Sequence, residues 1–251
     1  MRCLPIALAF ATAAACTAEP PPPPPFQSTT SHYRVDDILL PSTSDLVTSF
    51  GSDLDGDGQV DNQIGGLIDG LAAANDIYTD AQIRALIGSG AIASEVSITY
   101  GNATASMRYS AELGDDPPAI AGTLGSDGDV FAADLTPGAT DLVLPVFAGL
   151  APSTLYLDYA QFELAADGSG AGYIARIQGL ADPSATLVAA CTGIEDLIAS
   201  DPASHTELEQ EFGSSYDACS STTSLFLTPD SLYDGAPYYS FGFAVHLTPE
   251  D

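Results

Sequence analysis

Glu95-Val-Ser-Ile-Thr-Tyr100 and Ala103-Thr-Ala-Ser-Met-Arg-Tyr109 set the fold class of this chain. In both runs apolar and polar side chains alternate, which is the pattern of a half-buried β-strand. Because only Gly101-Asn102 separates the runs, they predict a tight β-hairpin. Further strand patterns occur at 142–147, 155–164, 172–177 and 238–247, with a second hairpin signal at Asp167-Gly168. Residues 91–251 are therefore predicted to be the β-rich part of one domain.

Helical patterns lie on both sides of the first strands. Residues 33–90 are predicted to be helical, with one helix at 44–50, another at 62–74 and a third at 81–87. A helical insertion is expected at 186–219, with helices at 186–199 and 204–212. The expected fold class is α+β. We expect an antiparallel β-sandwich or partly closed barrel with an N-terminal helix-loop-helix and a Cys-bearing helical insertion.

The loop between the first two predicted helices is strongly acidic. It reads Asp53-Leu-Asp-Gly-Asp-Gly58-Gln-Val-Asp61, with four carboxylates at alternating positions. Hard oxygen donors at this spacing suit Ca²⁺, and a glycine at the sixth position allows the sharp turn. The alternative is a solvated acidic turn, since Asp and Gly are common turn residues. The predicted calcium ligands are Asp53, Asp55, Asp57, Gln59 through its carbonyl, and Asp61.

The D-x-D-x-D-G core of this loop resembles EF-hand, dockerin and thrombospondin type 3 calcium repeats. The resemblance implies a bound calcium ion and one buried apolar side chain at Val60. Those families carry an acidic residue at the twelfth position, where Ile64 stands, so modest affinity is expected. Water or a distant carboxylate such as Asp69 would then take that place. A single loop implies a structural ion more than a switch.

The N-terminus predicts export. Residues 1–15 have the pattern of a signal peptide, and Ala13-Ala-Ala-Cys16 resembles the lipobox of bacterial lipoproteins. Cys16 would then be lipidated, and the Pro-rich residues 16–32 would be a tether. Ordinary cleavage near residues 11–13 is the alternative. The expected location is the outer membrane or cell surface of a Gram-negative bacterium, with a periplasmic or secreted protein as the alternative.

Charge and cysteine usage limit the partners. The chain has 34 acidic residues, five Arg and no Lys, which excludes nucleic acid and anionic lipid headgroups as partners. A membrane contact is expected only through the N-terminal lipid. Cys191 and Cys219 are predicted to form a disulfide, as is usual in an exported protein. A reactive or metal-bound thiol is the alternative reading of this pair.

No catalytic motif was found in the sequence. The sequence nearest to G-x-S-x-G, Gly168-Ser-Gly-Ala-Gly172, lacks the glycine two residues before the serine, and His246 has the surroundings of a packed or edge histidine. A Pro-Asp turn at Asp230, an Asp-Gly turn at Asp234 and the closing Ser240-Phe-Gly-Phe-Ala strand resemble a group of uncharacterised exported lipoproteins. Asp230 and Asp234 could instead form a decayed second cation turn.

Three functional hypotheses remain at this point. The first is a calcium-stabilised binding or structural module with an extracellular protein or glycan ligand. The second is a secreted glycan hydrolase that uses two carboxylates. The third is a calcium-responsive sensor. A concave groove lined by tyrosines and two close carboxylates would favour the hydrolase.

Overall fold

The structure is a computed structural model of the 251-residue chain. It describes residues 28–73, 80–110, 117–124, 129–144, 153–168, 172–200, 202–203 and 205–250. The predicted signal peptide and the proposed lipidation site at Cys16 lie outside these residues.

Antiparallel pairings join eight strands into a ring. The order is β1-β2-β3-β4-β5-β6-β7-β9, and β9 pairs with β1 to close it. The shortest strand pairing in the ring is that between β4 and β5, in which Thr123 pairs with Phe131 and Leu124 with Val130. Of the two expected architectures, the nearly closed barrel is the one observed. The strands are β1 (Thr29–Leu39), β2 (Glu95–Tyr100), β3 (Thr104–Ser110), β4 (Ile120–Leu124), β5 (Val130–Leu144), β6 (Ser153–Ala166), β7 (Tyr173–Ala181), β8 (Ser231–Tyr233) and β9 (Ala236–Pro249).

The two predicted hairpins are both present. Tyr100 pairs with Ala105 across Gly101-Asn102, and Ala166 pairs with Tyr173 at the end of the second hairpin. A third hairpin joins β8 to β9 through Asp234-Gly235. Both of its turn residues have positive φ, +52° and +80°, as a tight two-residue hairpin turn requires.

The middle of the last strand is buried on both faces. In β9 alternate side chains, including those of Phe241 and Phe243, enter the barrel core, where the two rings stack with centroids 5.4 Å apart. The opposite face is also covered, because Ser240 and Ala244 have no exposed surface. Because β9 is buried on both faces, other elements must cover it from outside the barrel. These are the N-terminal helices.

Six helices are present in the described part of the chain. Three lie between β1 and β2, and three lie between β7 and β8. No described helix has the length and apolar character needed to cross a membrane. The helices are α1 (Ser44–Phe50), α2 (Gln63–Ala73), α3 (Asp80–Gly88), α4 (Pro183–Ser200), α5 (Thr206–Phe212) and α6 (Tyr216–Phe226).

The predicted disulfide is confirmed, but it joins different helices from those expected. Cys191 of α4 is bonded to Cys219, and both residues are fully buried. Cys219 lies in α6, a helix that the sequence analysis missed. The helical insertion therefore extends to Phe226 instead of ending at residue 219.

The N-terminal boundary also differs from the prediction. Thr29–Leu39 form a strand, so the tether expected at 16–32 and the helical segment expected from residue 33 were wrong over this range. The first part of β1 pairs with β2 and the later part with β9, with a register shift between Val35 and Asp37. This shift interrupts the alternation of apolar and polar side chains, so the sequence pattern of residues 29–39 does not predict a single strand.

Candidate metal centre

The acidic loop, residues 53–61, is held between two helices at its ends. Thr43 caps α1, and Gly51 ends that helix by donating its N–H to Val47 O at 3.1 Å. Ser52 and Asp61 then form an isolated β-bridge that closes the loop, with Asp61 N 2.8 Å from Ser52 O. The helix-loop-helix order expected from the sequence is therefore present.

Three of the predicted ligands come together in the loop. Asp53, Asp55 and Asp61 each place one carboxylate oxygen within 4.8 Å of the others. Oxygens bound to one Ca²⁺ at 2.3–2.6 Å cannot lie more than about 5 Å apart, so this spacing fits a shared ion. Asp53 is exposed, Asp55 is half-buried and Asp61 is buried. The triad therefore opens to solvent on one side.

The other two predicted ligands interact with each other. Asp57 accepts hydrogen bonds from the backbone N–H of Gln59 at 2.7 Å and from its Nε2 at 2.9 Å. Neither residue belongs to the Asp53, Asp55 and Asp61 triad. Their role as ligands stays a prediction.

Backbone N–H groups orient the carboxylates of the triad. Asp53 accepts from Gly56 at 2.7 Å and from Gly58 at 3.0 Å. Gly58 has φ +88°, in the left-handed region that glycine adopts without strain. The loop thus turns around Asp53 in the way the D-x-D-x-D-G pattern predicts.

Asp61 is the most perturbed carboxyl group of the loop. Burial raises its pKa to about 6, although a hydrogen bond from Leu54 N–H opposes the rise. The charges of Asp230, Asp55 and Asp57 raise the pKa further. A positive charge placed beside this carboxyl group would stabilise its ionised form and lower its pKa.

Asp230 lies beside the loop although it is 169 residues from Asp61 in the chain. Its carboxylate accepts from Ser240 N at 2.9 Å and from the Ser240 hydroxyl. The Ser240 hydroxyl in turn accepts from Gln63 N, the first residue of α2, at 2.8 Å. The sequence predicts a Pro-Asp turn at Asp230, with a decayed second cation turn as the alternative, and the structure brings Asp230 beside the first loop.

Two details of the loop differ from the expected pattern. Val60, expected to be buried, is 53% exposed, while Leu54 is buried in its place. The backbone N–H of Leu54 donates to the buried Asp61 carboxylate at 2.7 Å. Ile64, at the twelfth position, packs in the hydrophobic core. Among the distant carboxylates, Asp230 lines the same cleft as Asp61, and its charge raises the pKa of Asp61.

Asn62 attaches the loop to the barrel. Its Oδ1 accepts from Gly242 N at 2.8 Å and from Gly65 N at 3.1 Å. The same oxygen therefore caps α2 and bonds to β9. Its Nδ2 donates to Val47 O at 2.9 Å and to Gly242 O at 3.4 Å. A single buried carboxamide therefore links α1, α2 and the last strand.

Two glutamines attach the other end of the loop. Gln178 of β7 donates to Phe50 O at 3.0 Å and to Gly51 O at 3.3 Å. Gln161 of β6 donates to the Ser52 hydroxyl at 2.8 Å and to Gln178 Oε1 at 2.9 Å. Because Gln178 bonds to the carbonyls at the end of α1 and Gln161 bonds to Ser52, the loop begins at a defined point on the outer face of the barrel.

A cleft of about 380 Å³ lies beside the loop. It is bounded by the loop, by the first turn of α2 and by Asp230. Its lining includes Asp57, Gln59, Asp61, Asn62, Gln63 and Asp230. The chemistry available there is oxygen coordination in a strongly negative field, which attracts cations.

A second carboxylate cluster lies on another part of the same barrel. His246 Nδ1 is 2.6 Å from Asp36 Oδ1, and its Nε2 is 3.0 Å from Asp167 Oδ2. The hydrogen bond to Asp167 and then that to Asp36 raise the pKa of His246, whereas burial opposes the rise. We call these three residues the His246 clamp. It links β1, β9 and the turn after β6, so His246 is a packed histidine with a structural role.

Comparison with known proteins gives no assignment for this chain. It matches no protein-family model, and no curated protein or solved structure is significantly similar to it.

Proposed function

We propose that this protein is an exported calcium-binding module in which a structural ion at the acidic loop stabilises a β-barrel used for binding or scaffolding. The observation that carries the proposal is the Asp53, Asp55 and Asp61 triad, whose oxygens lie within 4.8 Å of one another. Asp57 and Gln59 complete the proposed ligand set.

The donor chemistry supports calcium as the ion. All the side chains are hard oxygen donors, and a flexible loop of carboxylates suits the larger, less directional Ca²⁺ better than the strictly octahedral Mg²⁺. The nearby charge of Asp230 adds to the attraction. Affinity on the order of 10⁻⁴–10⁻³ M is expected, as in extracellular modules.

The attachment of the loop supports a structural role. Asn62 and Gln178 bond the loop ends to β9 and β7, so an ion at the triad would lower the repulsion between carboxylates in a segment already attached to the barrel. We propose that Cys16 is lipidated and tethers this barrel to the outer membrane or cell surface of a Gram-negative bacterium.

Thermal unfolding tests the calcium proposal. The chain without residues 1–15 and with Cys16→Ser would be heated in EDTA and in about 10 mM CaCl₂, with calorimetric titration in parallel. Binding at the expected affinity raises the unfolding midpoint by roughly 3–10 °C. Mg²⁺ at the same concentration should give a smaller shift.

Charge-matched variants make the test specific. Asp53→Asn with Asp55→Asn removes two carboxylates of the triad and should abolish the calcium shift. Asp129→Asn with Asp196→Asn removes two exposed carboxylates elsewhere and should keep it. If both pairs kept the shift, or both lost it, the triad would not be the site.

A further inference from the structure

Three tyrosines from three different strands meet on the outer face of the barrel. The Tyr159 ring is tilted against that of Tyr233, with centroids 4.5 Å apart, and meets Tyr238 edge to face at 5.7 Å. All three side chains are half-buried, so each keeps some surface in contact with solvent. We call Tyr159, Tyr233 and Tyr238 the tyrosine surface.

The tyrosine surface presents aromatic rings that are partly accessible to solvent. Aromatic rings that combine an apolar body with a polar hydroxyl are enriched where proteins bind ligands. The composition of this face is therefore that of an interaction site.

Two carboxylates border the tyrosine surface. The charges of Asp158 and Asp182 act on the Tyr238 hydroxyl, and both aspartates are exposed. Asp158 accepts from Asp182 N at 2.8 Å, and Asp182 caps α4 by accepting from Ala185 N at 2.8 Å. These hydrogen bonds from backbone N–H groups fix the positions of both carboxylates.

Aromatic faces bordered by fixed carboxylates match a cationic side chain. A guanidinium or ammonium group gains from the ring faces by cation–π attraction and from the carboxylates by charge-assisted hydrogen bonds. The chain's own formal charge of −29 adds a long-range attraction for basic partners. Charge complementarity therefore favours a cationic occupant over a neutral one.

A second copy of this chain is a poor source of that cation. It has five arginines and no lysine. Arg84, Arg108 and Arg176 already bond to Asp37, to Pro117 O and to Ser49 O in their own chain. The cation is better supplied by a different protein.

We propose that the tyrosine surface, bordered by Asp158 and Asp182, binds an arginine- or lysine-bearing segment of another protein. Tyr233 and Tyr238 contribute ring faces, and the two aspartates supply the countercharge. None of its side chains belongs to the Asp53, Asp55 and Asp61 triad, but the two sites adjoin, because Leu232 N, next to Tyr233, donates to Asp55 Oδ2 at 3.2 Å.

The first measurement uses a defined probe. A fluorescein-labelled acetyl-(Gly-Arg)₄-amide peptide would be titrated with the chain carrying Cys16→Ser, at physiological salt, followed by anisotropy. The same peptide with citrulline in place of arginine keeps the shape and removes the charge. The arginine peptide should bind, and the citrulline peptide should bind at least about tenfold more weakly.

Variants then locate the binding face. Tyr233→Leu should raise Kd for the arginine peptide about threefold to tenfold, whereas Tyr233→Phe should keep most of the affinity because the ring face remains. Tyr216→Leu, at a 37%-exposed tyrosine of α6, is the matched control and should leave Kd unchanged. Asp158→Asn should weaken binding more than Asp196→Asn, an exposed aspartate of α4.

Several outcomes would overturn the proposal. They are equal binding of both peptides, an equal loss in Tyr216→Leu and Tyr233→Leu, and no binding of the arginine peptide. Binding of an oligosaccharide panel that Tyr233→Leu abolishes, without binding of the arginine peptide, would identify a glycan surface instead. Repeating the titrations in EDTA and in CaCl₂ separates a failure here from a failure of the calcium proposal.

Discussion

The acidic loop and the His246 clamp are both carboxylate clusters on the outer face of one barrel, but they balance charge in different ways. In the clamp, the imidazole of His246 lies between Asp36 and Asp167, and its hydrogen bonds to Asp167 and Asp36 raise its pKa. In the loop, the carboxylates of Asp53 and Asp61 accept from backbone N–H groups, which are dipoles and carry no net charge. The clamp thus pairs its carboxylates with a titratable base, whereas the loop pairs its carboxylates with backbone dipoles.

The largest expected effect comes from separating the loop from the barrel. A Cβ atom at Gly242 would lie 2.0 Å from Phe50 O, so Gly242→Ala forces the end of α1 away from β9 and strains the bonds to Asn62. We expect a loss of about 3 kcal/mol in the free energy of unfolding, measured in urea, together with loss of the calcium response.

Gly66→Ala is the control for that substitution. A Cβ there meets no atom within 4 Å, and Gly66 lies inside α2, so alanine should stabilise the protein by up to about 1 kcal/mol. If Gly242→Ala were as mild as Gly66→Ala, the barrel would not be what positions the loop.

The second effect concerns the pH dependence of the loop. The folded pKa of Asp61, about 6, is raised above its ordinary value of 3.8. In EDTA its contribution to stability is therefore fully present below pH 3.8 and is lost as pH rises through 6. Calcium selects the ionised carboxylate, so the calcium-induced stabilisation should shrink as pH falls from 7 to 5.

Asp61→Asn isolates this behaviour. It should remove the calcium response and leave the EDTA stability near pH 7 equal to or above that of the unsubstituted chain, because a buried charge is gone. Asp196→Asn should change neither quantity. Thermal unfolding between pH 5 and 7, with and without calcium, measures both. A calcium effect of constant size over this range would show that Asp61 is not a ligand.

The third and smallest effect concerns the clamp. Because the pKa of His246 is raised, its stabilising contribution is fully present below the unfolded value near 6.5 and is lost as pH rises through the higher folded pKa. His246→Gln should cost about 1 kcal/mol at pH 6 and less at high pH. The calcium response should be unchanged.

His205→Gln is the matched control for the clamp. His205 precedes α5 and makes no side-chain capping bond. Its replacement should therefore leave the free energy of unfolding unchanged. Urea unfolding at pH 6 and pH 9 gives the comparison. An equal cost of His246→Gln at both pH values would mean that the clamp acts through packing and not through the proton.

Local features of the fold were predicted well. The hairpin around Gly101-Asn102, helix α1 and the helix-loop-helix order all follow from neighbours in sequence, where periodicity and turn chemistry act. The pairing of Cys191 with Cys219 followed from the small number of cysteines available. Helix α6 was missed because its Ser- and Thr-rich run has weak helix propensity, although Ser215 offered a capping signal to Ala218 N.

The candidate site was predicted only in its local part. The acidic alternation located Asp53, Asp55 and Asp61 in one loop, and the structure brings these three together. The inward position of Leu54 and the exposure of Val60 depend on how the loop packs against the barrel, which alternation alone does not encode. The role of Asp230 depends on the β8–β9 hairpin, which reaches the loop from the other end of the chain.

The sequence by itself determined the strand-rich class, the two predicted hairpins, the disulfide partners and the chemistry of the acidic loop, because each depends on residue type and short spacing. The tertiary structure alone decided that β1 closes the barrel against β9 and that Asn62 bonds to Gly242, 180 residues away. It also decided that Asp230 faces Asp61 and that three tyrosines share one surface. Such contacts depend on the register and closure of the whole sheet, to which many weak pairings contribute together and which no single segment specifies.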